Sequence, residues 1–328
     1  MRRQHAGLEL LGVLAASAVM VLSPQALGQP AGQTIRIIYP FAPGGSGDAL
    51  VRLLADKIQR STGNTTIVEN RTGAGGRIGV RAVRDAAPDG TTLLYTAFAP
   101  MSLYPHFYGD KLEYDPFKDF APVSQPASFE FALAAANNVP ANSVAELVAW
   151  LKADDKRATY GTPATGNLPH FLGLAFGRAM GVNMQVLPYR GSAPAANDVA
   201  AGQLPMAVLG TGDLAALHKG GKLKIIGTFS EERSKHVDNV PTLKEFGVDV
   251  VGRGWYGIYA PAQTPREIVQ RFSKIIADAV REPGINDRVL GVGLDPTGTT
   301  PEELDAIQKR DHDYWGPIIR ASGFKPEQ

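Results

Sequence analysis

The feature that most constrains this chain is a unit repeated along it: a short apolar run, a glycine-bearing loop, then an amphipathic segment. Residues 39–58, YPFAPGGSGDALVRLLADKI, show it first. Ile35–Tyr39 is an apolar run of strand length, and the loop after it holds Gly44, Gly45 and Gly47. From Ala49 to Arg60 the apolar residues fall at helical spacing, with Leu50, Leu54 and Ile58 on one face and Val51 and Leu53 beside them. Thr65–Glu69 predicts the next strand, followed by NRTGAGGRIGV and a helix near Ile78–Ala86. APDG at 87–90 is turn chemistry, and Thr92–Thr96 predicts a third strand. Strands that alternate with helices specify βαβ units and a mostly parallel sheet.

The rhythm breaks over Tyr104–Ala121, which is aromatic, contains proline and has no clear period. Phe129–Ala135 is strand-like, and Ser143 with Glu146 predicts a capping box. The unit then restarts, with strands expected at Ala158–Tyr160, Gln185–Tyr189, Met206–Leu209 and Leu223–Thr228. This is a second α/β block. Trp255–Ala260 predicts an aromatic strand. Thr264, Pro265 and Glu267 then predict an N-cap, a first-turn proline and a capping box, and Thr300, Pro301 and Glu303 repeat that signal. The helices after these signals place Ile268, Phe272, Ile275, Ile276 and Ala279, then Leu304, Ile307, Trp315, Ile318 and Ile319, in the core. They are assigned no chemistry.

At the N-terminus Arg2 and Arg3 precede an uncharged apolar run, Leu10–Leu22, then Pro24 and the small-x-small triplet ending at Gly28. That is the layout of a cleaved secretory signal peptide over residues 1–28, and the run is short for a membrane span. Export to the periplasm is the expectation. The chain has no cysteine, so no disulfide holds the fold and no thiol chemistry is available. Residues 1–28 carry two Arg and one Glu, so the remainder has 31 basic and 31 acidic residues, a net charge of zero. Such a balance gives no electrostatic footprint for nucleic acid.

Glycine-bearing loops at 42–48, 72–79, 161–170 and 210–213 each follow a strand and open a helix; the loop at 190–194 has less glycine. Ligands of open α/β sheets lie beyond the carboxyl ends of the strands, where helix N-termini offer unpaired N–H groups. One such loop reads equally well as a tight turn. Several of them, in both blocks, predict a cleft suited to an anion. Catalytic signatures are missing. Residues 44–48 read GGSGD, not a nucleophile elbow; 73–79 read GAGGRIG, not a phosphate fingerprint; the histidines show no metal-binding spacing. No enzyme activity, cofactor or metal is expected. Ser46 is a donor for an anion or a turn stabiliser, Asp48 a first-turn charge or a loop brace, and His170 a helix-packing residue or a ligand contact.

The ordered segments PFAPGGSGD, ENRTGAGGRIG, PDGTTLLY, YDPFKDFAPV, LPYRGSAPA, VPTLKEFG and WYGIYAPAQTP make the chain resemble the Bug receptors, the extracytoplasmic solute-binding proteins of tripartite tricarboxylate transporters. The resemblance spans about residues 33–325. It implies an α/β, two-lobed periplasmic binding protein of the type II kind, each lobe a mixed, mostly parallel sheet flanked by helices. Lobe one would be discontinuous, 33–130 plus 252–328, and lobe two 131–251, with crossings at Phe129–Ala135 and Trp255–Ala260. The implied function is capture of a small organic carboxylate, or a related amino acid or amide, followed by closure and delivery to membrane transporter subunits. A sensor that feeds a signalling protein and an exported hydrolase are the alternatives.

Carried over by position, the resemblance points to Phe41, Ala42, Gly45, Ser46 and Asp48 in the first loop and to Thr96, Phe98 and Ala99 after the third strand. In lobe two it points to Thr162, Gly166, Asn167 and His170, then Tyr189 and Arg190, then Thr211. Asp213 lies in a loop where an acidic residue could meet a ligand ammonium, or serves as a helix-start charge. Many relatives are serine-rich where this chain reads GTPATGNLPH, so the identity of the ligand does not carry across.

Overall fold

The computed structural model describes residues 32–237, 239–321 and 324–325; the expected signal peptide lies outside them. The strands are β1 (Ile35–Tyr39), β2 (Thr66–Asn70), β3 (Thr92–Ala97), β4 (Phe120–Ala136), β5 (Thr159–Thr162), β6 (Gln185–Pro188), β7 (Met206–Gly210), β8 (Leu223–Thr228), β9 (Arg253–Pro261) and β10 (Asp295–Pro296). The helices are α1 (Ser46–Thr62), α2 (Arg77–Arg84), α3 (Ala99–Ser102), α4 (Pro105–Tyr108), α5 (Val144–Lys152), α6 (Leu168–Met180), α7 (Ser192–Ala200), α8 (Thr211–Lys219), α9 (Arg266–Arg281), α10 (Pro283–Gly291) and α11 (Pro301–Ala321).

Two βα blocks give two sheets. In the first, β2, β1 and β3 run parallel, β9 joins antiparallel to β3, and β4 and β10 complete it. In the second, β6, β5 and β7 run parallel, and β4 pairs antiparallel with β7 and β8. The long β4 serves both. Its residues up to Glu130 pair with β9, and those from Phe131 onward pair with β7 and β8. The run Ala132–Ala136 is wholly buried there, so compact side chains let strands pack on both sides.

β4 begins well before the expected Phe129. Pro122 and Pro126 interrupt its pattern, and a proline has no N–H for a ladder. The strand accommodates them by shifting register against β9 between Pro122 and Ser124 and again between Ser124 and Ala127. Trp255–Ala260, expected as a crossing, lies within the first sheet between β3 and β4. The chain returns to that sheet just before it, where the Gly252 N–H donates to Phe229 O.

Helix starts differ from expectation in an instructive way. At α11 the capping box is reciprocal: Glu303 N–H donates to Thr300 Oγ1 (3.2 Å) and Thr300 N–H to Glu303 Oε2 (2.8 Å). At α5 it is split: Ser143 Oγ accepts from Glu146 N–H, while the Glu146 carboxylate accepts from Asn142 N–H. At α9 it does not form. The Thr264 N–H closes a turn onto Pro261 O, the helix begins one residue later than expected, and the buried Thr264 hydroxyl has no partner among the described residues. The apolar faces follow the sequence, with Leu50, Leu54 and Ile58 of α1 fully buried. Ile318, expected in the core, is 42% exposed, because Trp315 and Ile319 occupy the inward face of the last turns of α11.

Candidate functional site

The carboxyl ends of the parallel strands in both sheets face one another, and the loops there meet around a cavity of about 50 Å³. From the first lobe, the β1–α1 loop is braced from behind. The Asp48 carboxylate accepts from Gly44 N–H, from Arg52 Nε (2.9 Å) and Nη2 (3.0 Å), and from Asn70 Nδ2. Asn70 Nδ2 also donates to Phe41 O. Burial works against the Asp48 charge, but these donors outweigh it and hold the carboxyl below the usual range. Asp48 therefore fixes the loop from outside the cavity.

Gly45 precedes α1 and supplies no side-chain cap, so the first helical N–H groups look outward. Ser46 turns its N–H (2.7 Å) and its hydroxyl (2.8 Å) onto Oδ1 of Asp213, at the start of α8 in the second block. Gly47 packs beneath the hydroxyls of Tyr39 and Tyr256, which hydrogen-bond each other; a Cβ there would lie 2.6 Å from both oxygens. A second bridge joins the blocks through backbone alone: Ala42 N–H donates to Arg190 O at 2.8 Å. Gly191, at φ 133°, permits this approach, since a Cβ would meet Ala42 N at 3.0 Å.

Asp213 is partly buried, and what remains of its surface opens on the cavity and on a groove beside it. Burial raises its carboxyl above the ordinary value, and the donors Ser46 and Ser192 offset this only in part. Phe41, Phe98, Ala99, Asn167 and Asp213 of the expected residues line the cavity. Gly45 and Ser46 face the adjoining groove.

The others are engaged elsewhere. Thr96 is fully buried and donates to Ala97 O, and Thr162 donates to Ala164 O. Tyr189 donates to Asp198 Oδ2 at 2.6 Å, and the Arg190 side chain is exposed. The Thr211 hydroxyl is buried without a partner among the described residues. Asn167 caps α6 by accepting from His170 N–H, and His170 Nδ1 accepts from Gly166 N–H, which places the ring proton on Nε2. His170 is buried against Phe171 and Phe324, and burial lowers its pKa to about 4.

The sequence did not point to Tyr39, Phe129, Phe131, Leu168, Ser192 or Tyr256, all of which line the cavity. Phe129 and Phe131 stand two apart on β4, on one face at the change of sheet, and Phe129 packs on Tyr256 with ring centroids 4.7 Å apart. The i, i+2 aromatic pair in the predicted crossing strand was the available signal.

The Bordetella pertussis protein BugT is 29% identical over 324 residues, covering 97% of this chain and 98% of its own. The solved periplasmic binding protein BugD aligns with a TM-score of 0.85 at 28% identity, over 90% of this chain and 99% of its own. The R. palustris protein Rpa4515, solved with adipate, aligns with a TM-score of 0.86 at 25% identity, over 91% and 100% of the two chains. The two-lobed α/β architecture is thus that of the periplasmic binding proteins. Among the described residues no helix is long and apolar enough to cross a membrane. Residues 50–324 match the family described as the tripartite tricarboxylate transporter family receptor, and on that match the chain belongs to this family, TctC.

Proposed function

We propose that this chain is an exported, periplasmic solute-binding receptor. It takes a small organic carboxylate, or a related amino acid or amide, between its lobes and presents it to membrane transporter subunits. One observation carries the reading: loops from both sheets converge on a single cavity, and the contacts across it, Ser46 to Asp213 and Ala42 to Arg190, are ones that opening would break. Lobe one is assigned to 33–130 plus 252–328 and lobe two to 131–251, supported by the change of partners in β4 between Glu130 and Phe131. Solute enters by the parting of the lobes, which the contacts from Ser46 to Asp213 and from Ala42 to Arg190 hold together in this form. Rotation about the connecting strands is the motion this architecture permits.

The role is binding without turnover. The hydroxyls of Ser46 and Ser192 both serve Asp213, and among the described residues no histidine or lysine lines the cavity to activate them. The test is calorimetric titration of protein stripped of solute by unfolding and refolding, against organic acids, amino acids and amides. Saturable one-to-one binding, with the solute recovered unchanged, is expected. Chemical conversion of the solute, or no binding across the whole panel, would refute the receptor reading.

A further inference from the structure

The interlobe cavity is electrostatically one-sided. Asp213 is on its wall, and no Lys, Arg or His among the described residues is. The cations of the neighbouring loops are engaged elsewhere: Arg52 is clamped by Asp48, and Arg190 meets the opposite lobe through its carbonyl while its side chain is exposed. His170 lies behind its loop, accepting at Nδ1 from Gly166. Aromatic side chains share the wall, Phe41, Phe98, Phe129 and Phe131 beside Tyr39 and Tyr256.

The carboxylate is also oriented. Its Oδ1 accepts both donors of Ser46, at 2.7 and 2.8 Å. Its Oδ2 lies toward Gly210 on the cavity wall, where a Cβ would stand 3.1 Å from it, and the Ser192 hydroxyl also donates to the carboxylate. A negative oxygen fixed in place on a wall that also carries aromatic side chains suits an organic cation. The ammonium forms a charge-assisted hydrogen bond with the carboxylate, and the π faces attract the same charge. A second carboxylate placed there would meet like charge with no cation to compensate it.

We infer that Asp213 is the specificity-determining residue of this cavity, selecting solutes whose recognised end is a protonated amine on an apolar body over those that offer carboxylates alone. The inference rests on the receptor reading above and narrows it to the nitrogen-bearing members of its solute class. Burial that already weakens the lone Asp213 charge adds to its demand for a cation.

The test is calorimetric titration of the full chain near neutral pH with two matched pairs, benzylamine against benzoate and γ-aminobutyrate against glutarate. In at least one pair the amine should bind about tenfold tighter than the acid, the size of one hydrogen bond to a charged group. In Asp213→Asn, which keeps an oxygen for Ser46, that ratio should fall below about threefold. Acids that bind as tightly as their amines in both pairs, or a ratio unchanged in Asp213→Asn, would overturn the inference. If the variant does not fold, the wild-type ratios decide alone. Binding of both glutarate and benzoate as tight as that of their amines would leave the receptor reading standing and remove this one, whereas no binding of any acid, amine, amino acid or amide would remove both.

Discussion

The β1–α1 loop and the β5–α6 loop have one sequence grammar and opposite fates. Both follow a strand, carry glycine and small polar residues, and open a long helix. In the second, the loop spends its polar groups on itself: Asn167 caps the helix, Gly166 donates to His170, and Thr162 donates to Ala164. In the first, Gly45 cannot cap, and the donors of Ser46 reach across the cleft to Asp213. A glycine loop becomes available to a partner only when its own residues leave the helix donors free. Glycine content does not distinguish the two; the residue at the N-cap position does.

The largest expected effect breaks the self-contained loop. The pKa of His170, about 4, lies below the unfolded value of about 6.5. The folded state therefore binds fewer protons than the unfolded state between these values. The stability linked to His170 is fully present above the unfolded pKa and is lost as pH falls toward 4. That difference corresponds to roughly 3 kcal/mol. Urea unfolding of the wild type should show it over this range. In His170→Gln the protein should be less stable at neutral pH, and its pH dependence should be flatter. A slope unchanged by the substitution would show that another group titrates. Asp213 has the opposite sign: its raised carboxyl is relieved as acid neutralises it, so acidification strains the β5–α6 loop while easing the contact across the cleft.

The next effect tests the open loop. In Gly47→Ala the new methyl would meet the paired hydroxyls of Tyr39 and Tyr256 at 2.6 Å. Overpacking of this kind costs roughly 1–3 kcal/mol. The cost should appear in urea unfolding together with weaker solute binding, since the strain falls on the helix end that presents Ser46. Loss of stability with affinity unchanged would separate the α1 N-terminus from the site.

How far the sequence carries depends on how local each signal is. The bounds of β1 and β8 were legible because an apolar run between turn residues is a local fact. The full length of β4 was not, because Pro122 and Pro126 read as breaks until the register shifts that absorb them are seen. At the site, Phe41 borders the first glycine loop and Phe98 follows the third strand, both at strand ends where a ligand is expected. Phe129, Phe131 and Tyr256 lie inside strands, where alternation names two faces without saying which one meets the other lobe. The Ser46–Asp213 contact spans 167 residues of sequence, and nothing in either stretch encodes the other.

The smallest effects carry the comparison to two helices away from the cleft. Thr300 and Thr264 precede the same proline-and-glutamate pattern. Thr300 uses its hydroxyl to cap α11, whereas the Thr264 hydroxyl is buried with no partner among the described residues. Thr300→Ala should therefore cost about 1 kcal/mol, as loss of a helix cap does. Thr264→Val replaces an unpaired hydroxyl with a methyl of similar shape. A buried polar group without a partner carries its desolvation cost in the folded state, and removing it is neutral or stabilising. Urea unfolding should thus place Thr264→Val at or slightly above the wild type. If it is instead destabilised as much as Thr300→Ala, the hydroxyl has a partner in solution and α9 begins as the sequence pattern predicts. A null or positive result would mean that an N-terminal pattern sets where a helix begins only when the chain before it leaves the capping side chain free to turn back.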